Sequence, residues 1–481
     1  MSVESPNNNF KKYDERQREI DERVNAAFHT SEEDLIKPKS QGIFVDPKLG
    51  LCGFRNIGNT CYMNSILQLL IHSRLIVNFM LAKENPYADT ISKSDSESIN
   101  SNDPTAEFET YLKQNVTDRL GERERKRLGL NDDVKINIKA EQFDNIIHNT
   151  LTAKLAEIIN ILVYKGNSCI TPSGFKQIVD RKMPSMRGMM QQDAHELLNG
   201  LLDNLIEETG NDSEPTINNV PQTIKEYFEH IEEVKKILGS TESREEKRKI
   251  IQEFNEFREL HKKNVNKFAG LKYMTNVFGK KRTSSLDTST TGYNPMIFNL
   301  LTFNVDTFTC IECGLESTKY EYCTILSLPV KSTLKECFEQ FVMEEQIDRR
   351  CEGCECKKAR KKQLIWRPGM TLFIQLCRFN NLPNGRICKN NLGVEIPHQI
   401  DISEFCDSSM LTEQTPSYKY KLKGISNHMG GMGGGHYTAD CVSIIDNKTW
   451  YHFDDSSVSR HQGTEIDTSN AYILMYEMEQ F

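Results

Sequence analysis

The chain changes its hydrophobic period once, near residue 298, and that single change limits the architectures open to it. Before it, apolar residues recur at helical spacing: Met63, Ile66, Leu67 and Leu70 share one face, and a second block covers 151–164. A third block starts at Ala194, with Leu197, Leu198, Leu201, Leu202 and Leu205 along one side. Residues 223–262 read as a helix pair. Its first stripe is Ile224, Tyr227, Phe228, Ile231, Val234 and Leu238, Gly239 and Ser240 break it, and Ser243 with Glu246 makes a capping box before Ile250, Ile251, Phe254 and Phe257. Such a pair is expected to bury its stripes against itself as a self-contained antiparallel hairpin. After 298 the apolar residues come in short β-rich runs at 372–376, 418–425, 450–453 and 471–476. Helices first and strands second predict an α+β fold with a cleft between a helical lobe and a sheet lobe.

Composition narrows the function classes. The 481 residues, 37% hydrophobic and 27% charged, can bury a sizeable core, and a mean hydropathy of −0.56 leaves room for polar tails and insertions. Three segments fit that description: an arm at 1–48 with one helix around 13–28, a low-complexity run at 92–104 opening an interruption to about 140, and a Ser/Thr cluster at 283–291. No apolar run approaches the ~20 residues that span a bilayer, and 1–15 is too polar for a signal peptide, so a chain neither secreted nor in a membrane is expected. A net charge of −8 argues against a protein that coats nucleic acid. Fourteen cysteines without a secretory signal point to a reducing compartment, cytoplasmic or nuclear, where thiols act as nucleophiles, metal ligands or core residues. The basic runs at 123–127, 280–282 and 357–362 read as solvated surface, with nuclear import as the alternative.

Two cysteine patterns carry chemistry. In Gly53-Phe-Arg-Asn56-Ile-Gly58-Asn59-Thr60-Cys61, turn residues precede a helix, so Cys61 falls where helix-end N–H groups favour a thiolate. Polar groups just upstream can add a donor beside the Cys61 amide to form an oxyanion hole. Taken alone, Cys61 also reads as a small apolar residue at a helix start. A thiol nucleophile needs a base, and His436 follows a glycine-rich run and opens a β-like stretch, whereas His428 ahead of that run is expected outside a strand. A strand at 450–453 then delivers Asp454 and Asp455, either of which can orient an imidazole. The second pattern is Cys310-x-x-Cys313 with Cys351-x-x-Cys354, two knuckles at hairpin ends that suit tetrahedral Zn²⁺, with Cys356 a rival for one position of the second knuckle.

Together these segments resemble the ubiquitin-specific proteases, papain-like deubiquitinating cysteine peptidases. The stretch from Gly53 through Cys61 to Ser65 is similar to that family's cysteine box, and Gln191-Gln-Asp193-Ala-His-Glu196-Leu-Leu198 to its glutamine-aspartate box. The run from Asn427 to Tyr437, the strand ending in Asp454 and Asp455, and the stretch at 471–476 are similar to its histidine box and closing strand. The segment Leu372-Phe-Ile-Gln-Leu-Cys-Arg378-Phe379 and the two knuckles complete the series. Residues 297–300 lack the glycine common there in the family, which leaves the alignment of that strand open. The resemblance implies a helical thumb, a β-rich palm and zinc-braced fingers that cradle ubiquitin. It implies Cys61 as nucleophile, His436 as base, Asp454 as orienting acid with Asp455 its rival, and Asn56 as oxyanion donor. Asp193 and Tyr437 would line the channel for the ubiquitin tail, and Cys310, Cys313, Cys351 and Cys354 would hold a structural zinc. The domain reading that follows is an amino-terminal arm at 1–48 and a catalytic domain at 49–481 with insertions at about 85–145 and 210–292. Expected partners are ubiquitin, ubiquitinated proteins and a regulatory protein at the 223–262 helix pair. A non-catalytic ubiquitin-binding scaffold and a peptidase for a ubiquitin-like modifier are the competing readings.

Overall fold

All twelve residues of Cys61–His72 are buried, so this helix, α1, is the element around which its lobe is built. In the computed structural model the described residues are 51–81, 150–162, 169–209, 222–278, 300–354, 356–381, 385, 387–410, 417–431, 434–444, 446–461 and 468–479. The expected arm at 1–48, the interruption at 85–145, the Ser/Thr cluster at 283–291 and the basic runs at 123–127 and 280–282 lie outside them, and of 297–300 only Leu300 lies within. A helix buried all round must satisfy its own polar side chains. Gln68 Nε2 donates to Cys52 O at 2.8 Å, Ser65 Oγ to Tyr62 O at 3.0 Å, and His72 Nδ1 meets Gln68 O at 2.8 Å. Burial holds the His72 imidazole neutral, its pKa lowered to about 4.

The short strand β1 (Gly53–Phe54) precedes α1, and α2 (Arg74–Leu81), α3 (Leu151–Asn160), β2 (Cys169–Ile170), α4 (Ser173–Lys182) and α5 (Ala194–Thr209) complete the helical lobe. Glu208 of α5 accepts from the N–H groups of Leu151 and Thr152, an anion on the exposed amides of a helix start, and pairs with Lys182 at 2.5 Å. Next come α6 (Gln222–Ser240) and α7 (Arg244–Phe278), then β3 (Thr302–Cys310), β4 (Glu316–Cys323), β5 (Ile325–Pro329), α8 (Leu334–Phe341), β6 (Glu345–Asp348), β7 (Lys358–Arg367), β8 (Thr371–Cys377), β9 (Phe379–Asn381), β10 (Ile387–Lys389), β11 (Gln399–Asp401), β12 (Lys419–Gly431), β13 (Gly434–Val442), β14 (Trp450–Asp454), β15 (Ser457–Arg460) and β16 (Ala471–Met478).

The main sheet runs β15-β14-β13-β12-β16-β8-β5, with β11 beside β12, and is antiparallel except between β5 and β8. Side chains alternate between its faces. Tyr437, Ala439, Cys441, Phe453, Tyr472 and Met475 join the core of α1, α3 and α5, whereas Tyr420, Leu474 and Tyr476 join Phe338 of α8 on the other side. A second sheet, β4-β3-β7-β6, carries one cysteine knuckle on each of its two hairpins. The basic run at 357–362 enters β7, where Lys361 pairs with Asp306 at 3.3 Å.

The helix pair departs from expectation. The helix α7 has 35 residues and runs well past 262, and the pair is not self-contained. Val234, Leu238, Ile251 and Phe254 bury one another but also pack against Cys313 and Leu315 of the first knuckle. Further along, Ala269 and Tyr273 join Phe303, Val305, Tyr320 and Trp366, and Tyr320 Oη donates to Asn266 O at 2.8 Å. The stretch after 262 contains Asn264, Asn266 and Gly270, all weak helix formers, so packing rather than propensity holds it. Gly270 is where the backbone seats, since a Cβ there would lie 2.1 Å from the Trp366 ring. Gly270→Val is therefore expected to cost about 1–3 kcal/mol by urea denaturation, despite valine's better helix propensity. Gly239→Ala, with nothing within 4 Å of its Cβ, should cost nothing; a Gly270→Val chain as stable as wild type would show that α7 does not depend on this contact.

Candidate active site

The loop that leads to Cys61 rests on the turn after β14. Phe54 N–H donates to Asp455 O at 2.8 Å, and a Cβ on Gly53 would lie 2.5 Å from Ser456 O, so only glycine allows that approach. Asn56 then shapes the turn: its Oδ1 accepts from the N–H groups of Gly58 and Thr60, both at 3.1 Å, while Asn59 takes the left-handed conformation at φ 51°. Cys61 follows as the first residue of α1. The other side of the Asn56 amide, Nδ2, donates to Asp455 Oδ2 at 3.0 Å, and Asn64 Nδ2 donates to Asp455 Oδ1 at 2.7 Å.

His436 enters from β13. Its Nε2 lies 2.6 Å from Oδ1 of Asp454, the last residue of β14, and the register pairing Ala439 with Phe453 makes the two a diagonal pair on one sheet face. The adjacent carboxylates therefore have different partners, Asp454 the imidazole and Asp455 the two asparagines. The Tyr437 backbone N–H reaches the Cys61 thiol, which is only 4% exposed. Among the described residues no hydrogen bond joins this thiol to His436. The helix start does not prevail at Cys61 as the sequence suggested. Burial pushes the thiol pKa up, the Tyr437 amide pulls it down, the nearby Asp455 charge pushes it up again, and the balance is upward.

The glutamine-aspartate segment closes the other side. Gln191 holds Gly435 from both ends, Nε2 to O at 3.0 Å and Oε1 from N–H at 2.9 Å, beside His436. Asp193 accepts the His195 N–H at the start of α5 at 2.6 Å and the Tyr472 hydroxyl at 2.8 Å. Tyr437 is buried against His428, with ring centroids 4.6 Å apart. His428 itself lies within β12, not outside a strand, and burial together with Lys389 lowers its pKa to about 4, so it is a neutral core histidine. Sequence reasoning assigned no role to Asn64, Gln191 or Tyr472, nor to Arg378, whose buried guanidinium binds the carbonyls of Ala471, Asn390, Leu392 and Thr468. Each lay inside a recognised segment, but at least one of its partners lay far along the chain.

At the knuckles, the Sγ atoms of Cys310, Cys313, Cys351 and Cys354 lie within 4.8 Å of one another, with Cys310 to Cys354 and Cys313 to Cys351 each at 3.5 Å. Four thiolates at about 2.3 Å from a tetrahedral zinc stand about 3.8 Å apart, so the cluster fits such an ion. Cys356 Sγ is not one of these four; it meets Lys358 O at 3.6 Å and also interacts with Cys310.

A thiol at a helix start, an imidazole fixed by one carboxylate and an amide donor fixed by another are the parts of a thiol-dependent acyl-transfer site. Comparison with known proteins agrees. A family model described as ubiquitin carboxyl-terminal hydrolase matches residues 52–476, and the chain belongs to that family of cysteine-type deubiquitinating peptidases. It is 25% identical to probable ubiquitin carboxyl-terminal hydrolase R319 of Acanthamoeba polyphaga mimivirus, covering 89% of this chain and 90% of the viral one. It is 27% identical to ubiquitin carboxyl-terminal hydrolase 2 of Homo sapiens over 92% of this chain but only 57% of the human one, so it spans little more than half of that relative's length. The SAGA Ubp8/Sgf11/Sus1/Sgf73 DUB module bound to ubiquitin aldehyde contains a chain of like fold, with a TM-score of 0.52 and 20% identity over 95% of this chain and 76% of that one.

The raised thiol pKa has a measurable consequence. Alkylation of Cys61 by iodoacetamide should accelerate with pH through a midpoint above that of an ordinary cysteine, and Asp455→Asn, by removing a charge that disfavours thiolate, should move that midpoint down. A midpoint below the ordinary cysteine value would show that helix-end amides outweigh burial after all.

Proposed function

We propose that this chain hydrolyses the isopeptide or peptide bond at the ubiquitin carboxyl terminus with Cys61 as nucleophile and His436 as general base. Asp454 occupies Nε2 of His436, which leaves Nδ1 for the thiol proton. The Cys61 sulfur attacks the carbonyl carbon of the terminal ubiquitin residue as that proton passes to His436. The resulting oxyanion is met by the Cys61 amide and by Asn56 Nδ2, held in place by Asp455. Collapse breaks the C–N bond, His436 returns the proton to the leaving amine, and the acyl group remains as a thioester. Water deprotonated by His436 then releases ubiquitin and restores the thiol. Asp193 and Tyr437 line the path of the ubiquitin tail in this reading. Cys310, Cys313, Cys351 and Cys354 hold a zinc that braces the fingers, with no open position for catalysis. The regulatory partner belongs on α6 and the adjoining part of α7. No disulfide joins any of the fourteen cysteines, which supports a cytoplasmic or nuclear setting.

The observation that carries this reading is the division of labour between the adjacent carboxylates. Asp454→Asn, which can still accept from the ring, should retain more activity than Asp454→Ala on a ubiquitin-fluorophore substrate. Asp455→Ala should lower kcat by about 10²-fold, as loss of an oxyanion donor does. The reverse pattern would exchange the two assignments. Cys61→Ala should abolish cleavage and keep ubiquitin binding; a wild-type chain that binds ubiquitin without cleaving it would be a scaffold instead.

Metal analysis after dialysis against a weak chelator should find one zinc per chain. Cys351→Ser should lose it and Cys356→Ser should not; the opposite result would place Cys356 in the ligand set.

A further inference from the structure

A second cluster of ligating side chains lies on the edge of the main sheet, away from the cysteine knuckles. Asp440 of β13 and His452 of β14 are directly opposed in register, and His461 follows the end of β15, its N–H donating to Trp450 O. Alternation along the strands puts all three side chains on one face. Asp440 Oδ1 lies 2.7 Å from His452 Nδ1 and 3.0 Å from His461 Nε2, while Oδ2 accepts from Asn427 Nδ2 at 2.6 Å. The Asp440 side chain is 4% exposed, against 37% for His452 and 22% for His461. The carboxylate is thus fixed from behind by an amide, and the two rings reach its free oxygen from the solvent side.

We propose that Asp440, His452 and His461 form a second metal site, for a zinc-class divalent cation, that clasps β13, β14 and β15 together. The donor atoms lie within 4.8 Å of one another. Ligand atoms about 2.0–2.1 Å from a tetrahedral ion stand about 3.3 Å apart, so the two short separations need to open by only about half an ångström. Two imidazoles and one carboxylate select zinc and its borderline neighbours over magnesium or calcium, which take oxygen ligands. Asn427 supplies the outer hydrogen bond that orients the ligating carboxylate, and the half-buried rings, on the solvent side, leave a way in and a fourth position for water. None of the three residues belongs to the proposed catalytic set. The placement still matters there, because His452 is two residues before Asp454 on the same strand and Asp440 four residues after His436. An ion here pins the outermost strands of the sheet where Asp454 is presented.

The test uses the full chain with its tightly held zinc in place. Zn²⁺ is titrated against a chromophoric chelator, in a phosphine reductant rather than a thiol, for wild type, His461→Ala, His452→Gln and, as a control, His398→Ala, whose ring packs on Trp450 and is not one of the three donors. Wild type and His398→Ala should bind one zinc equivalent more than is retained after dialysis. Both cluster variants should lose that equivalent, or bind it at least about tenfold more weakly. Because binding to the folded state alone stabilises it, added Zn²⁺ should raise Tm in wild type but not in His461→Ala. His461→Ala should cleave the ubiquitin-fluorophore substrate at the wild-type rate when zinc is not added, which shows that it folds. Absence of the additional equivalent in wild type, or its binding with unchanged affinity in both cluster variants, would overturn the proposal.

Discussion

The Asp455 carboxylate ties the two halves of the site together. It accepts from Asn56 and Asn64, which lie in the loop and helix of Cys61, while the Asp455 backbone oxygen accepts from Phe54. The chain separation between Asn56 and Asp455 is 399 residues, so this contact exists only when the helical lobe has docked on the sheet. The same charge raises the thiol pKa of Cys61. In the proposed mechanism, the carboxylate that positions the oxyanion donor therefore also keeps the nucleophile protonated until a base takes its proton, so that positioning and reactivity are balanced at one group.

What makes that contact dependable is the burial around it. The helix α1 is enclosed on every side, with Gln68 Nε2 bonded to Cys52 O in its own lobe and Ser65 Oγ meeting Ser426 Oγ of β12 at 3.0 Å. The edge of the sheet is more open, and three half-buried or buried polar residues meet there on adjacent strands. On the fingers, α7 covers the aromatic cluster of Phe303, Tyr320 and Trp366. Any partner or ubiquitin chain that meets α6 and α7 is thus coupled to the sheet that carries the cysteine knuckles, because the two share a core.

Much of this was legible in the sequence. The change from helical to β period predicted two lobes, and the segments around Cys61, His436 and Asp454 pointed to side chains that the fold gathers at one candidate site, because each carries a local signal of turn, strand or glycine run. Less visible was whatever depends on register or distant packing. Two carboxylates in succession look alike as letters, yet Asp454 ends a strand facing His436 while Asp455 turns into the left-handed region at φ 49° and faces Asn56. The continuation of α7 past 262 was hidden because Asn264, Asn266 and Gly270 weaken its local helix signal, while the packing against Trp366 and its neighbours that supports it comes from distant residues. The pairing of Asp440 with His452 and His461 follows from two hairpin registers that no spacing rule predicts. The thiol environment of Cys61 was misjudged because the helix-end effect is local and readable, whereas burial is not.

The most direct measurement is reaction of the wild-type chain with ubiquitin bearing a carboxy-terminal electrophile, followed by peptide mapping of the adduct. A single ubiquitin should attach, at Cys61 alone among the fourteen thiols, and His436→Ala should slow its formation far more than His428→Ala. An adduct on another cysteine, or ubiquitin bound with no adduct at all, would contradict the assignment of Cys61 and His436 as the reacting pair.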